Sequence, residues 1–315
     1  MRRAVVTLAL SSTLACGPAD EADAGALDTL GVADGGEDAL SLDAPATPDA
    51  GAPCCVASHY ASFPIPSTPG SGLPHEARYT VGLEQVVDEI TGLTWQLHTD
   101  GVRRSLEEAL AYCDALELGG RRDFVLPSRI ELVTLLELER SPTVAPSLLP
   151  TEAEYHWTRS RYVARPASAF SVYFGAGAIE FGRGENRSAL ARCVAPAVPG
   201  SEGVGPVIEG DRAHDAATGL TWERAALGPL TFAQAEAACA DAGMDLPTLR
   251  ELASLLDDAR TTPAIDVAVL GLPAGPTWTA SRTTSSSERW IVDLDDGRSR
   301  PLAESERASV RCVVR

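Results

Sequence analysis

Between His156 and Cys193 the chain holds Arg159, Arg161, Arg165, Arg183, Arg187 and Arg192 against only Glu180 and Glu185. A guanidinium presents a planar fork of N–H donors that meets sulfate or carboxylate oxygens two at a time, and an aromatic face can stack on a sugar ring. The chemistry expected is recognition of an anionic glycan. Its candidate contacts are Arg159, Arg161, Arg165, Arg183 and Arg187, with Tyr162 and Tyr173 as stacking faces. The competing reading is that these cations solvate strand edges or pair with glutamates elsewhere. A later stretch, Trp278 to Arg315, holds seven arginines against six acids, so only the earlier one reads as locally basic.

Other chemistries find less footing. The five histidines, His59, His75, His98, His156 and His214, never fall at metal-ligand spacing, and no Gly-x-Ser-x-Gly or phosphate-cradling loop occurs. Asp293, Asp295 and Asp296 beside Gly297 offer oxygen ligands for calcium, yet a solvated Asp-Gly hairpin explains them equally well. No cofactor, metal or catalytic residue is therefore expected. The formal charge of -18 argues against nucleic acid as a partner.

Arg2 and Arg3, an apolar run from Ala4 to Leu14 and Cys16 together have the shape of a bacterial lipoprotein signal, with Cys16 as the lipidated residue. The run is too short to span a bilayer, which needs about 20 apolar residues. From Gly17 to Pro53 there are nine acids and no base, a composition that cannot offset the entropy of ordering. The expected organisation is a signal at 1–16, an acidic tether at 17–77, a module at 78–196, a linker at 197–206 and a second module at 207–315. The protein should be exported and held at the bacterial cell envelope by its lipid anchor alone.

The two modules are one unit repeated. Asp88-Glu-Ile-Thr-Gly-Leu-Thr-Trp95 is answered 127 positions later by Asp215-Ala-Ala-Thr-Gly-Leu-Thr-Trp222. Leu126-Pro-Ser-Arg-Ile-Glu-Leu132 is answered by Leu246-Pro-Thr-Leu-Arg-Glu-Leu252, Trp157-Thr-Arg-Ser160 by Trp278-Thr-Ala-Ser281, and Arg192-Cys193-Val by Arg311-Cys312-Val. A unit of this size should bury its own core. Cys113 and Cys193 correspond to Cys239 and Cys312, which predicts one disulfide inside each copy in an oxidising compartment. Cys54 and Cys55 remain to pair with each other, to bridge two chains or to hold a partner protein.

Ser105 with Glu108, Ser128 with Glu131, Thr231 with Gln234 and Thr248 with Glu251 have the spacing of capping boxes and predict four helix starts. Val86-Val87 and Leu93-Thr94-Trp95 read as a hairpin. So do Phe170–Phe174 with Ala178–Phe181, and Trp290–Leu294 with Arg298–Leu302. Two helices on an antiparallel sheet make each copy an α+β unit. The recurring tryptophans, Trp95, Trp222, Trp157 and Trp278, read as core.

This motif string, five elements in the same order twice, resembles the Lcl C-terminal domain family, named after a collagen-like bacterial adhesin. The resemblance covers both modules and departs from the family at Phe124-Val125 and Met244-Asp245, where Trp-Arg is usual. It implies a C-type-lectin-like or sulfatase-modifying-factor-like fold, extracytoplasmic placement and, for the named member, binding of sulfated polysaccharides. The expectation is a non-catalytic surface protein that binds anionic polysaccharide or another envelope component. The alternatives are a structural or protein-interaction module of the envelope and, third, an enzyme on the sulfatase-modifying scaffold.

Overall fold

The computed structural model describes residues 59–148, 151–181, 188–197 and 203–315. Cys16, Cys54, Cys55, Arg183 and Arg187 lie outside the described residues, as does the tether up to residue 58.

The first copy runs β1 (Tyr79–Val81), β2 (Gln85–Asp88), β3 (Thr94–Gln96), α1 (Leu106–Asp114), α2 (Arg129–Val133), β4 (Tyr155–Tyr162), β5 (Arg165–Tyr173), β6 (Ala178–Phe181) and β7 (Val194–Ala195). The second begins with β8 (Val207–Glu209), β9 (Arg212–Asp215), β10 (Leu220–Glu223), β11 (Leu227–Leu230), α3 (Phe232–Asp241), α4 (Leu249–Ala253) and α5 (Val267–Leu270). It ends with β12 (Pro276–Arg282), β13 (Glu288–Asp293), β14 (Ser299–Ala303), β15 (Ala308–Val310) and β16 (Val313–Val314). Each copy has one four-stranded sheet, ordered β1-β2-β3-β7 or β8-β9-β10-β16, and a second sheet built on a long hairpin, β4-β5-β6 or β11-β15-β12-β13-β14. The class is α+β. The second copy departs from the expected two helices by adding the one-turn α5.

The recurring motifs are explained by local hydrogen bonds. Asp88 Oδ1 accepts the N–H groups of Ile90 (2.9 Å) and Thr91 (3.3 Å), and Asp215 Oδ1 those of Ala217 (3.0 Å) and Thr218 (3.3 Å). Gly92 and Gly219 follow at φ 72° and 75°, where a side chain would be strained. Asp-x-x-Thr-Gly is thus a turn that sets Val86 opposite Trp95 in one copy and Ala213 opposite Trp222 in the other. All four helix starts carry the reciprocal cap; Ser128 N–H, for example, donates to Glu131 Oε2 at 2.6 Å. The indole N–H of Trp157 donates to Arg104 C=O (2.9 Å) and that of Trp278 to Leu230 C=O (2.7 Å).

Cys113 pairs with Cys193 and Cys239 with Cys312, each at a Cα separation of 5.4 Å, tying α1 and α3 to the residues before β7 and β16. The arginine before each closing cysteine is fully buried. Arg192 donates to the carbonyls of Gln96 (2.7 Å) and Leu97 (2.8 Å), and Arg311 to those of Glu223 (2.8 Å), Arg224 (2.9 Å) and Leu270 (2.7 Å). Burial lowers both guanidinium pKa values to about 10.

Each disulfide sits in a small cluster of its own copy, with Leu106, Phe124 and Trp157 in the first and Phe232, Met244 and Trp278 in the second. The largest cluster, however, joins Trp95, Leu132, Leu135 and Phe174 to Trp222, Leu252, Leu255 and Trp290. The expectation that each copy buries its own core is therefore corrected. All five residues of α2 and all five of α4 are buried, and these helices touch one another. A short helix with no solvent face cannot be covered by its own sheet alone.

Polar contacts cross the same boundary reciprocally. Arg129 of α2 pairs with Asp258, beyond α4, and its guanidinium lies 4.0 Å from the Phe170 ring centroid. Arg250 of α4 donates from Nε to Leu136 C=O, beyond α2 (2.8 Å), and from Nη1 to Pro66 C=O (2.8 Å). Ile179 N–H on β6 donates to Ser299 Oγ on β14 (2.8 Å). The boundary of the tether also moves. Residues 59–77, read as its end, include buried Ala61, Phe63 and Ile65 in the shared cluster, so the described part of that segment is a folded strap. Tyr60 bridges Gly203 within the expected linker, and His59 lies 3.5 Å from Asp258.

Candidate functional site

The arginines singled out along β4 and β5 are mostly engaged. Arg159 forks onto Glu131 (2.7 and 3.3 Å) and onto Leu126 C=O (2.9 Å), so it braces the carboxylate that caps α2. Arg161 reaches Pro166 C=O (3.4 Å) and lies 3.6 Å from Glu107. Arg165 is exposed where β5 begins, opposite Tyr162. Tyr162 is stacked on Phe181 with ring centroids 4.1 Å apart, and Tyr173 is tilted against Tyr155 at 4.7 Å. Arg192 has no access to solvent. Trp95, Trp157, Trp222 and Trp278 are core, as expected. The described residues of the earlier basic stretch therefore do not converge on a ligand.

Two of the three carboxylates of the Asp-Gly turn are likewise occupied. Asp293 Oδ1 accepts Asp295 N–H (3.1 Å), and Asp296 accepts Arg298 N–H (3.1 Å) and Nε (2.7 Å). Among the described residues no group of three or more histidine, cysteine or acid side chains is placed to hold a metal ion.

A different pair of arginines stands out. On the β12–β13 hairpin Arg282 is directly opposite Arg289. Like charges facing each other across two strands are destabilising unless something neutralises them. Arg289 is neutralised: its Nε lies 2.9 Å from Glu304 and its guanidinium sits 4.4 Å from the Phe232 ring centroid. Arg282 is exposed and has no hydrogen bond or ion pair among the described residues. The two border a hollow of about 250 Å³ whose other lining residues are Thr283, Thr284, Ser285 and Ser286, with no carboxylate. In the first copy the corresponding Arg161 faces Ala169, so the feature belongs to the second copy.

Arg282 also borders a cleft of about 270 Å³ where three segments meet: the strap at Pro66–Thr68, the first copy at Leu136–Arg140, and the second at Thr248, Arg250 and Ser281. The buried Arg250 touches all three segments' walls through its bonds to Pro66 and Leu136, and so holds the cleft at a set width. A third hollow of about 230 Å³ adjoins both, bordered by Arg140 and by Thr283 and Thr284. Three openings thus converge on Arg140, Arg282 and a hydroxyl-rich loop. The arrangement offers charged forks for an acid group, hydroxyls for polar substituents, and Pro66, Leu136 and Leu138 as apolar wall. Glu137 and Glu139 also border the cleft and Glu288 the third hollow, so of the three only the hairpin hollow is free of acids and suited to a polyhydroxylated anion.

Sequence reasoning missed Arg140 and Arg282 because neither belongs to a recurring motif. One signal was present, since Arg282 directly follows Trp278-Thr-Ala-Ser281 as Arg161 follows its counterpart.

No curated protein matches the chain. The Lcl C-terminal domain profile matches residues 84–195 and again 212–314, the two segments whose turns, caps and buried arginines repeat one another. The chain belongs to the Lcl C-terminal domain family, which it carries as two tandem copies.

Proposed function

We propose that this is an exported, lipid-anchored, non-catalytic protein that binds anionic polysaccharide or another anionic component of the envelope, and that contact is made at the hairpin of Arg282. One observation carries the reading: Arg282 and Arg289 face each other beside four hydroxyl residues, with no acid lining that hollow. Export is supported by the two disulfides, which persist in oxidising compartments. Among the described residues no helix is long and apolar enough to cross a membrane; attachment through a lipid on Cys16 rests on the signal-like pattern of residues 1–16 alone.

Retention of the full chain on immobilised heparin or fucoidan tests this. Elution is expected by roughly 0.5 M salt, because exposed charge pairs are screened at that ionic strength. Arg282→Ala should weaken retention by about tenfold, the value of one charge-assisted fork, whereas Arg165→Ala should leave it nearly unchanged. Absence of retention at low salt would remove the proposal. A second reading, a protein-interaction module of the envelope, is favoured by the outer strands of the two four-stranded sheets, which expose Val81 on β1 and Val207 and Ile208 on β8. Self-association in sedimentation that is lost in Ile208→Glu would favour it.

A further inference from the structure

Arg282 belongs to both the hairpin hollow and the inter-copy cleft, but the two spaces differ in charge. The hairpin hollow has no acid, whereas the cleft is also bordered by Glu137 and Glu139. Glu137 lies 3.5 Å from Arg140 and is partly neutralised by it. Glu139, at the surface of the first copy, has no hydrogen bond or ion pair among the described residues. A cation from one copy and an anion from the other thus border one cleft without pairing with each other. A sugar unit bearing only acid groups would meet the two carboxylates there, and one bearing only an amine would meet the arginines. Either mismatch is repulsive.

We propose that the inter-copy cleft takes a zwitterionic sugar unit, with its acid group on Arg282 and a free ammonium group on Glu139. The inference rests on the polysaccharide reading above and narrows it to chains or chain ends in which an amino group is left unacylated. The size agrees with one unit. About 270 Å³ falls just below the roughly 300–1,000 Å³ that drug-sized ligands occupy, so one ring fits rather than an oligosaccharide. Pro66, Leu136 and Leu138 supply an apolar wall for the C–H face of the ring, and Thr68 supplies a hydroxyl from the strap. Because strap, first copy and second copy each contribute, the site exists only in the assembled chain.

Two probes that differ only in that amine provide the test. Muramic acid carries a carboxylate and an ammonium, and N-acetylmuramic acid has the same acid with the amine neutralised. Titration calorimetry of the full chain at low salt should show muramic acid binding at least about tenfold tighter. Glu139→Gln should bring the two probes to equal affinity, and Arg282→Ala should weaken binding of both by about tenfold; unchanged thermal unfolding would show both variants intact. Equal affinities for the unaltered chain, tighter binding of the acetylated probe, or no effect of Glu139→Gln would overturn the inference. If polysaccharide retention persists in any of those cases, the broader proposal stands and only the zwitterionic unit is lost. If retention itself fails, the broader proposal falls first.

Discussion

Arg159 and Arg282 show why counting charges along a chain misplaces a binding site. Arg159 lies in the richer cationic stretch but is spent on Glu131, while Arg282 lies where acids nearly balance bases and keeps its donors for solvent. Linear sequence gives the charge of a segment and not the partner of each side chain, and only unpartnered cations can recruit an anion. Arg159→Ala is accordingly expected to act on stability. It leaves the nearly buried Glu131 short of two donors, at a cost of about 1–3 kcal/mol in urea unfolding, with polysaccharide retention close to that of the unaltered chain. His156 carries a second prediction. It is fully buried against Phe174, and burial, reinforced by the nearby Arg192, lowers its pKa to about 3. The unfolded chain, with an ordinary histidine near 6.5, then binds more protons than the folded one between these values, so this contribution is complete above about pH 6.5 and declines as pH falls toward 3. Between pH 7 and 4.5 the loss is on the order of 3 kcal/mol. Urea midpoints of His156→Gln should fall less over that range than those of the unaltered chain.

At the scale of elements, what was legible in the sequence is what local hydrogen bonding decides. Capping boxes at Ser105, Ser128, Thr231 and Thr248 and the hairpin at Asp295-Asp296-Gly297 each involve residues a few positions apart, so spacing alone reveals them. The pairing of Arg282 with Arg289 was hidden. The ladder between β12 and β13 shifts register between Trp278 and Arg282, and an irregularity of that kind reassigns which residues face each other. The disulfides lie between these cases, visible because the cysteines recur at matching places in both copies. Replacing Cys239 and Cys312 by serine frees a loop of 73 residues and should lower stability by about 2–4 kcal/mol. The check is the urea midpoint of that variant, with mass mapping to show Cys113–Cys193 intact.

For the whole molecule, the tandem architecture was readable and the shared core was not. Apolar periodicity says that a face is buried without saying what buries it, and α2 and α4 bury theirs against each other. The nearly unbroken apolar run from Leu132 to Leu136 was the available hint, because a stretch with so few polar residues at the end of α2 and just beyond it needs cover on every side. Unfolding should therefore be a single calorimetric transition spanning both copies. Arg129→Ala, which removes the partner of buried Asp258, should cost about 3 kcal/mol and lower that one transition without splitting it. Two separate transitions would show that the copies fold independently after all.

Arg250 grips Pro66, which precedes it by 184 residues, and the strap also meets the second copy at His59, at Tyr60 through Asp257, and at Ile65. A growing polypeptide delivers the strap long before its holder has been made. Until translation passes α4, Phe63 and Ile65 wait without their final cover, and a nascent chain cut short there presents greasy, unlatched residues to proteases. The last-made half of the molecule is thereby expected to shield the first-made segment: limited proteolysis should cut within residues 59–77 of a chain truncated before α4 and leave that segment of the full chain intact.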